Sequence, residues 1–523
     1  MVLAVFVILK IPHLSYPYYW DECWPYAAAI RQMYEHGVSL SPIAIDVELS
    51  HGHPLLFHCM GALWMHVFGH SHYAMHSFAL LVSLLLLVAV YEAGYRLFNK
   101  NTATIALLLV ATQVIFFVQS SFVLVEMSVA LFTFLGIVFY ARGQYLLSAI
   151  SMTCLFFTKE SGLVLGLVLG VDAVVGLFNN SVLIKERISR VLAVIVPAIM
   201  IGIFFLIQHH YRGWYVYPMH VDMMISDWGA FWYKFRMGCI RLMFYENLKF
   251  YTYLLLVIAT IIAAIKSKKY GLLVLLLPTV IIYYYVDDMR AGRILPSVPF
   301  FILFILSLVW LVISFIRKNI FQNPEERRII YLIVTFVFAF LCFCTLNFFT
   351  YRYLLAALMP MLFLTAIFFD LMVRNSFRWM FYIVVAGISV IGYFSFKTNN
   401  NFGDSDLGAF KAMEVQQGVV DYLEQQNLYD KVISTSSFLE TIHLINPTTG
   451  YLSTSKKFSK VVYDINGNSD YIIFDNIEPD ERYESFKNSP DLQIVFRTNK
   501  GVIWAEIYKH KSLSIHEKSL FLE

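Results

Sequence analysis

Charge is what this sequence has least of. Only 14% of its 523 residues are Asp, Glu, Lys or Arg, against 59% hydrophobic and 17% aromatic, and the mean hydropathy is +0.64. A water-soluble chain of this length could not cover its surface with so few charges, which leaves a polytopic membrane protein. Cysteine is sparse too: Cys23, Cys59, Cys154, Cys239, Cys342 and Cys344 are scattered without a CxxC pair, so neither a zinc ribbon nor a dense disulfide framework is indicated. Cys23 and Cys59 share one loop and are spaced so that they could pair. A basic leader and a small-residue cleavage site are missing, so apolar residues 1–11 read as a retained anchor, short for a span of about 20 residues. No solenoid repeat or low-complexity tract appears. The net charge of +3 is small, and no nucleic-acid partner is expected.

Apolar runs fill most of the rest. They fall at 76–97, 103–119, 122–140, 144–158, 161–178, 189–208, 250–265, 271–286, 294–316, 329–347, 353–373 and 379–396, which with the first segment makes about thirteen spans. Basic residues collect in alternate loops: Arg96 and Lys100; Arg142; Lys185, Arg187 and Arg190; Lys266, Lys268 and Lys269; Arg317, Lys318, Arg327 and Arg328; Arg374 and Arg378. By the positive-inside rule those loops are cytoplasmic. The expected topology is therefore an inside N-terminus and an outside C-terminus, in a multi-pass protein of a bacterial inner or plasma membrane.

The external loops 12–75 and 209–248 are long and rich in Trp, Tyr, His and Met. Such composition suits helices lying at the bilayer surface, where an enzyme meets a lipid-borne substrate. Past residue 398 the composition turns ordinary and soluble. Residues 397–404 read as a polar linker, 414–426 as a helix, and 431–435, 461–464, 471–475, 493–497 and 502–507 as strands, with a short helix around Ser485. The expected organisation is an α-helical membrane domain over 1–398 and a small extracytoplasmic α/β domain over 399–523, a scaffold or lid without a Gly-rich phosphate loop.

Chemistry-bearing residues gather on the external side. Asp21 and Glu22 follow the first segment, where paired carboxylates offer proton transfer or cation binding; the plainer account is a cap on the helix beginning near Pro25. Glu126 is a lone acid at the start of a span, either functional or paired with a cation for packing. Lys159 can clamp a phosphate as a point charge or simply pair with Glu160. Arg352, beside Tyr353, and Arg293 bring guanidinium groups to external turns, suited to phosphate. His51 and His53, with Glu22 or His209, can hold a divalent metal ion, although the spacing matches no strict zinc signature and loop histidines often serve as polar anchors.

In order and spacing these motifs are similar to those of GT-C glycosyltransferases that use polyprenyl-phosphate sugars, nearest the protein O-mannosyltransferase and aminoarabinose-transferase families. The resemblance rests on Asp21-Glu22, on His51-Gly52-His53-Pro54-Leu55-Leu56, on Thr158-Lys159-Glu160-Ser161-Gly162, and on Arg352-Tyr353-Leu354 with Pro360. Where those families carry a second Pro, this chain has Leu55. The resemblance implies an inverting transferase with Asp21 as general base, Glu22 orienting it, Glu126 as a further acid of the site, and Arg352, Tyr353, Lys159 and Arg293 at the donor phosphate. The acceptor would be a hydroxyl on an extracytoplasmic glycan, lipid or protein. A ligase or oligosaccharyltransferase that moves a lipid-linked glycan is the second reading, and a transporter the third.

Overall fold

Lipid offers backbone polar groups no partners, so apolar runs of this kind close their hydrogen bonds within helices. The computed structural model describes the chain apart from residues 180–182, 245–246, 269–270, 272–322, 347–349, 375–378, 466–468 and 512–523. Among the described residues six helices are long and apolar enough to cross a membrane: His72–Leu97, Glu160–Leu177, Ile184–Arg212, Pro324–Leu346, Tyr351–Arg374 and Trp379–Thr398. Shorter apolar helices, among them Val2–His13, Glu126–Ala141 and Tyr145–Thr158, pack between them. The protein is an integral membrane protein. The expected spans at 271–286 and 294–316, with Arg293, lie outside the described residues.

One expected span is divided. Residues 103–119 form two helices, Lys100–Ala111 and Val114–Gln119. The reason is local: the Thr112 hydroxyl donates to the Leu108 carbonyl at 2.8 Å and the Gln113 amide to Leu109 at 3.0 Å, side chains competing with the backbone for its acceptors. Cys23 and Cys59 are both free and do not bridge. The Cys23 thiol donates instead to the Tyr18 carbonyl at 3.1 Å, and that of Cys59 to Ser39 at 3.2 Å.

The two long loops are built of short helices, Tyr26–His36 and Leu56–Phe68 in the first, Pro218–Asp222 and Trp228–Phe244 in the second. Beyond the helix ending at Thr398 lies a five-stranded sheet in the order β2-β1-β3-β5-β4. Its strands are β1 Ile433–Thr435, β2 Val461–Tyr463, β3 Tyr471–Asp475, β4 Leu492–Lys500 and β5 Ile503–His510. β1 runs parallel to β2 and β3, while β5 is antiparallel to β3 and β4. Parallel pairs need a crossover, and the helix Phe438–Ile445 supplies one between β1 and β2. The helix Gly408–Gln425 covers the sheet through β4 and β5 and begins six residues before its expected start at 414.

Candidate active site

Asp21 and Glu22 share a 3₁₀ turn, Trp20–Glu22, entered through Trp20 at φ 50°. With three residues per turn, neighbours point roughly 120° apart, so the two carboxylates part company. Glu22 turns inward and is fully buried. Its Oε1 accepts from the Val123 amide at 2.6 Å and faces His76 Nε2 at 3.2 Å, while Oε2 accepts from the Tyr19 amide at 3.2 Å. Asp21 turns the other way and stays 41% exposed, accepting a hydrogen bond from Arg352.

The C-terminal domain grips this turn. The Tyr18 amide donates to Thr449 at 2.9 Å, the Tyr16 hydroxyl to Glu414 at 2.7 Å, and Cys23 Sγ lies 3.5 Å from His443 Nε2. The position of Asp21 is thus set jointly by the first loop and by a domain some 400 residues later in the chain.

Arg352, buried in the turn Tyr351–Leu354 that starts a span, gathers carboxylates from three segments. Asp21 and Asp404 accept from its two terminal nitrogens, and Glu126 Oε1 lies 3.5 Å from Nε. Glu126 opens the helix Glu126–Ala141, where the aligned peptide dipoles favour an anion. It also accepts from Lys159 Nζ at 3.1 Å, and Lys159 stands 4.0 Å over the Tyr353 ring. Lys159 therefore pairs with Glu126 rather than with Glu160.

In front of this group is a cavity of about 240 Å³. Glu126, Lys159, Tyr353, His53, Glu160 and His220 form its polar lining; Val129, Phe340, Phe343 and Ala356 form an apolar wall. Asp21 and Arg352 are not in the lining and connect to it through the contact of Arg352 with Glu126. The arrangement offers two cations for a phosphate, a half-exposed carboxylate for a proton, and apolar surface for a lipid stem.

The histidines regroup. His53 Nδ1 lies 2.8 Å from Glu160 Oε2, and the His53 and His220 rings are 5.0 Å apart. The three side chains present donor atoms that all lie within 4.8 Å of one another. Burial, helped by His53, lowers His220 to about 4, so its ring is neutral and able to coordinate near pH 7. Burial also lowers His51, which stacks on Tyr217. His209 is exposed and stacks on Tyr215, away from the group, and Glu22 is occupied elsewhere. Gly52 makes the juxtaposition feasible: at φ +70° a Cβ there would meet the Trp214 ring at 2.7 Å, so the loop carrying His53 packs flush against the segment that leads to His220.

Sequence reasoning missed Asp404 and His220. Asp404 was hidden in a polar stretch that reads as a linker. His220 follows Pro218 in a loop already marked as interfacial, but a ligand set drawn from three separate segments leaves no fixed spacing to find.

Comparison with known proteins adds two findings. Residues 2–212 match the family described as dolichyl-phosphate-mannose-protein mannosyltransferase. The crystal structure of ArnT from Cupriavidus metallidurans in the apo state aligns with 97% of this chain and 97% of its own, at 13% identity and a TM-score of 0.50. A second structure of that ArnT, bound to undecaprenyl phosphate, covers the same 97% of each at 13% identity with a TM-score of 0.48. No curated protein matches by sequence. The resemblance read from the loop motifs is thereby shown: the N-terminal part is similar to the protein mannosyltransferase family, and the fold is an ArnT-like GT-C fold with a small C-terminal sheet domain.

Proposed function

We propose that this protein is an integral-membrane, inverting glycosyltransferase that passes a sugar from a polyprenyl-phosphate donor to a hydroxyl acceptor on the extracytoplasmic face. The observation that carries the reading is the meeting of Arg352 with Asp21 and Glu126 beside Lys159, where Glu126 and Lys159 line a cavity with one apolar wall. The match of residues 2–212 to a family named for a dolichyl-phosphate sugar supports the donor class.

In this reading Asp21 takes the proton from the acceptor hydroxyl, and the acceptor oxygen attacks the anomeric carbon. The bond from that carbon to the phosphate oxygen breaks, and the electron pair leaves on the phosphate. A positioned carboxylate base contributes roughly 10²–10⁴-fold. Arg352 and Lys159 meet the charge that grows on the phosphate, binding it more tightly in the transition state than in the ground state. Tyr353 orders both cations through its ring face, 4.0 Å from Lys159 and 5.5 Å from Arg352. Glu22 holds the turn and does not enter the chemistry.

His53, Glu160 and His220 are a fitting donor set for a divalent ion, two imidazoles and one carboxylate. When bound, such an ion supplies positive charge beside the phosphate site. The orientation supported by the alternating basic loops, N-terminus inside and sheet domain outside, puts the whole site on the extracytoplasmic face; Arg142, Lys185, Arg190 and Arg328 line a separate cleft.

The test is turnover. Purified full-length protein in nanodiscs, given a fluorescent polyprenyl-phosphate sugar and a mixture of envelope glycans, should release polyprenyl phosphate and label an acceptor. Movement of a solute across sealed vesicles with no glycosidic bond broken would overturn the reading in favour of a transporter.

A further inference from the structure

The stretch after the last membrane helix is built, not slack. The Asn399 side chain donates to Asp406 at 2.9 Å and accepts from the Leu407 amide at 2.9 Å. The Gly408 amide donates to the Asn401 carbonyl at 2.9 Å, an approach so close that any side chain at Gly408 would run into that carbonyl. Two residues from the site's own framework hold the segment down: the Gln119 amide donates to the Asp404 carbonyl at 2.7 Å and the Tyr19 hydroxyl to that of Phe402 at 2.7 Å. The outcome of this clasp is to deliver the Asp404 carboxylate onto Arg352.

Both terminal nitrogens of Arg352 are consequently engaged by carboxylates, while its buried Nε makes no hydrogen bond. A guanidinium grips a phosphate through a planar fork of two N–H donors. Here one terminal nitrogen is taken by Asp21 and the other by Asp404, with Glu126 beside Nε. Three carboxylates, Asp21, Glu126 and Asp404, face two cations, Arg352 and Lys159, so the group already carries one excess negative charge before any phosphate enters. A phosphate that takes the terminal fork of Arg352 meets this excess negative charge, which is relieved when one carboxylate yields. Asp21 is needed as the base, and Glu126 is held by Lys159. Asp404 is the one with a spare partner, since the Ser405 hydroxyl donates to its other oxygen at 3.0 Å.

We propose that Asp404 is a donor-affinity-determining residue: its carboxylate occupies the donor phosphate's seat on Arg352 and is displaced when the donor binds. This rests on the functional reading above. Burial raises the Asp404 carboxyl above its usual range even with Arg352 beside it, so the group readily takes a proton once it is released.

The experiment compares the parent, Asp404→Asn and Asp404→Glu, full-length in nanodiscs, for equilibrium binding of a fluorescent polyprenyl phosphate and for donor KM against kcat. Removing the competing charge should tighten polyprenyl-phosphate binding and lower donor KM by about tenfold or more, the worth of one charge-assisted hydrogen bond. Asp404→Glu, which restores the carboxylate, should return both to within a few-fold of the parent. If Asp404 only buttresses Arg352, Asp404→Asn binds polyprenyl phosphate equally or more weakly while the parent binds normally, and this inference alone falls. A melting temperature measured on each variant separates that outcome from misfolding, with Asp404→Glu as the folded control. Absence of binding in the parent and in both variants would overturn the functional reading and this inference with it.

Discussion

The guanidinium of Arg352 donates to the carboxylate of Asp21, 331 positions away in the chain, and does so from a side chain only 3% exposed. This contact joins the first long loop to the start of a late membrane helix. It brings a candidate base and a candidate phosphate clamp into direct contact. Its consequence is that neither group has a purely local role: Asp21 is aimed by Arg352, and Arg352 is aimed by acids from three segments.

Glu22 should behave as a structural acid. It is buried and serves two backbone amides and His76. Glu22→Ala strands those donors and should cost roughly 3–5 kcal/mol in unfolding free energy. Glu22→Gln keeps a carbonyl acceptor and should recover most of that loss, with turnover following stability. Thermal unfolding beside turnover decides it: Glu22→Gln that is stable but inactive would return Glu22 to the chemistry.

The difference between these neighbours marks what the sequence makes legible. That two acids stand at a membrane boundary is plain from the string around Asp21; which one faces the cavity depends on a 3₁₀ turn that no apolar periodicity announces. Helices such as His72–Leu97 are readable because burial in lipid demands a long apolar run. The helix Phe438–Ile445, absent from the sequence-based expectations, is capped by the Ser437 hydroxyl, which accepts from the Glu440 amide at 3.1 Å. Asp404 was hidden because polar, Asn-rich sequence looks alike whether it is slack or cross-braced. The partners of Arg352 lie far off in sequence, and only packing brings them together.

The histidine group predicts bound metal. Full-length protein purified without chelator should carry about one divalent ion per chain by elemental analysis, a stoichiometry set by the one three-donor group among the described residues. His220→Ala should lose it with the fold intact. His209→Ala, altering a stacked and exposed ring, should keep it. Equal metal content in His220→Ala and the parent would remove the ion from this site.

Membrane orientation is checked by labelling. A cysteine introduced at Lys268 should be shielded from an impermeant thiol reagent in intact cells, and one at Asn400 should react. External labelling at both positions would contradict the orientation and move the site off the extracytoplasmic face.

The sheet domain should be pH-sensitive through Asp475. Burial raises its carboxyl from 3.8 to about 6, so the folded chain keeps a proton that the unfolded chain has already lost. Stability contributed by this group therefore falls as pH rises from about 4 to about 6, and the full penalty, about 3 kcal/mol, persists above that. Asp475→Asn retains the oxygen that accepts from the Ile477 and Glu478 amides, at 2.8 Å each. It should slow hydrogen exchange in β3 at pH 7.5 and change little near pH 4. Identical exchange in parent and variant at pH 7.5 would refute the assignment.

The central claim is that Asp21 is the base of a sugar transfer from polyprenyl phosphate, and single-turnover transfer by Asp21→Asn tests it most directly. Asparagine keeps the size of the side chain and an oxygen for Arg352 but cannot take the acceptor's proton. With donor prebound and acceptor added, the rate should fall at least about 10²-fold while the donor still binds at least as tightly as to the parent and the melting temperature stays close to the parent's. Transfer at the parent's rate by a folded, donor-saturated Asp21→Asn protein would contradict the account.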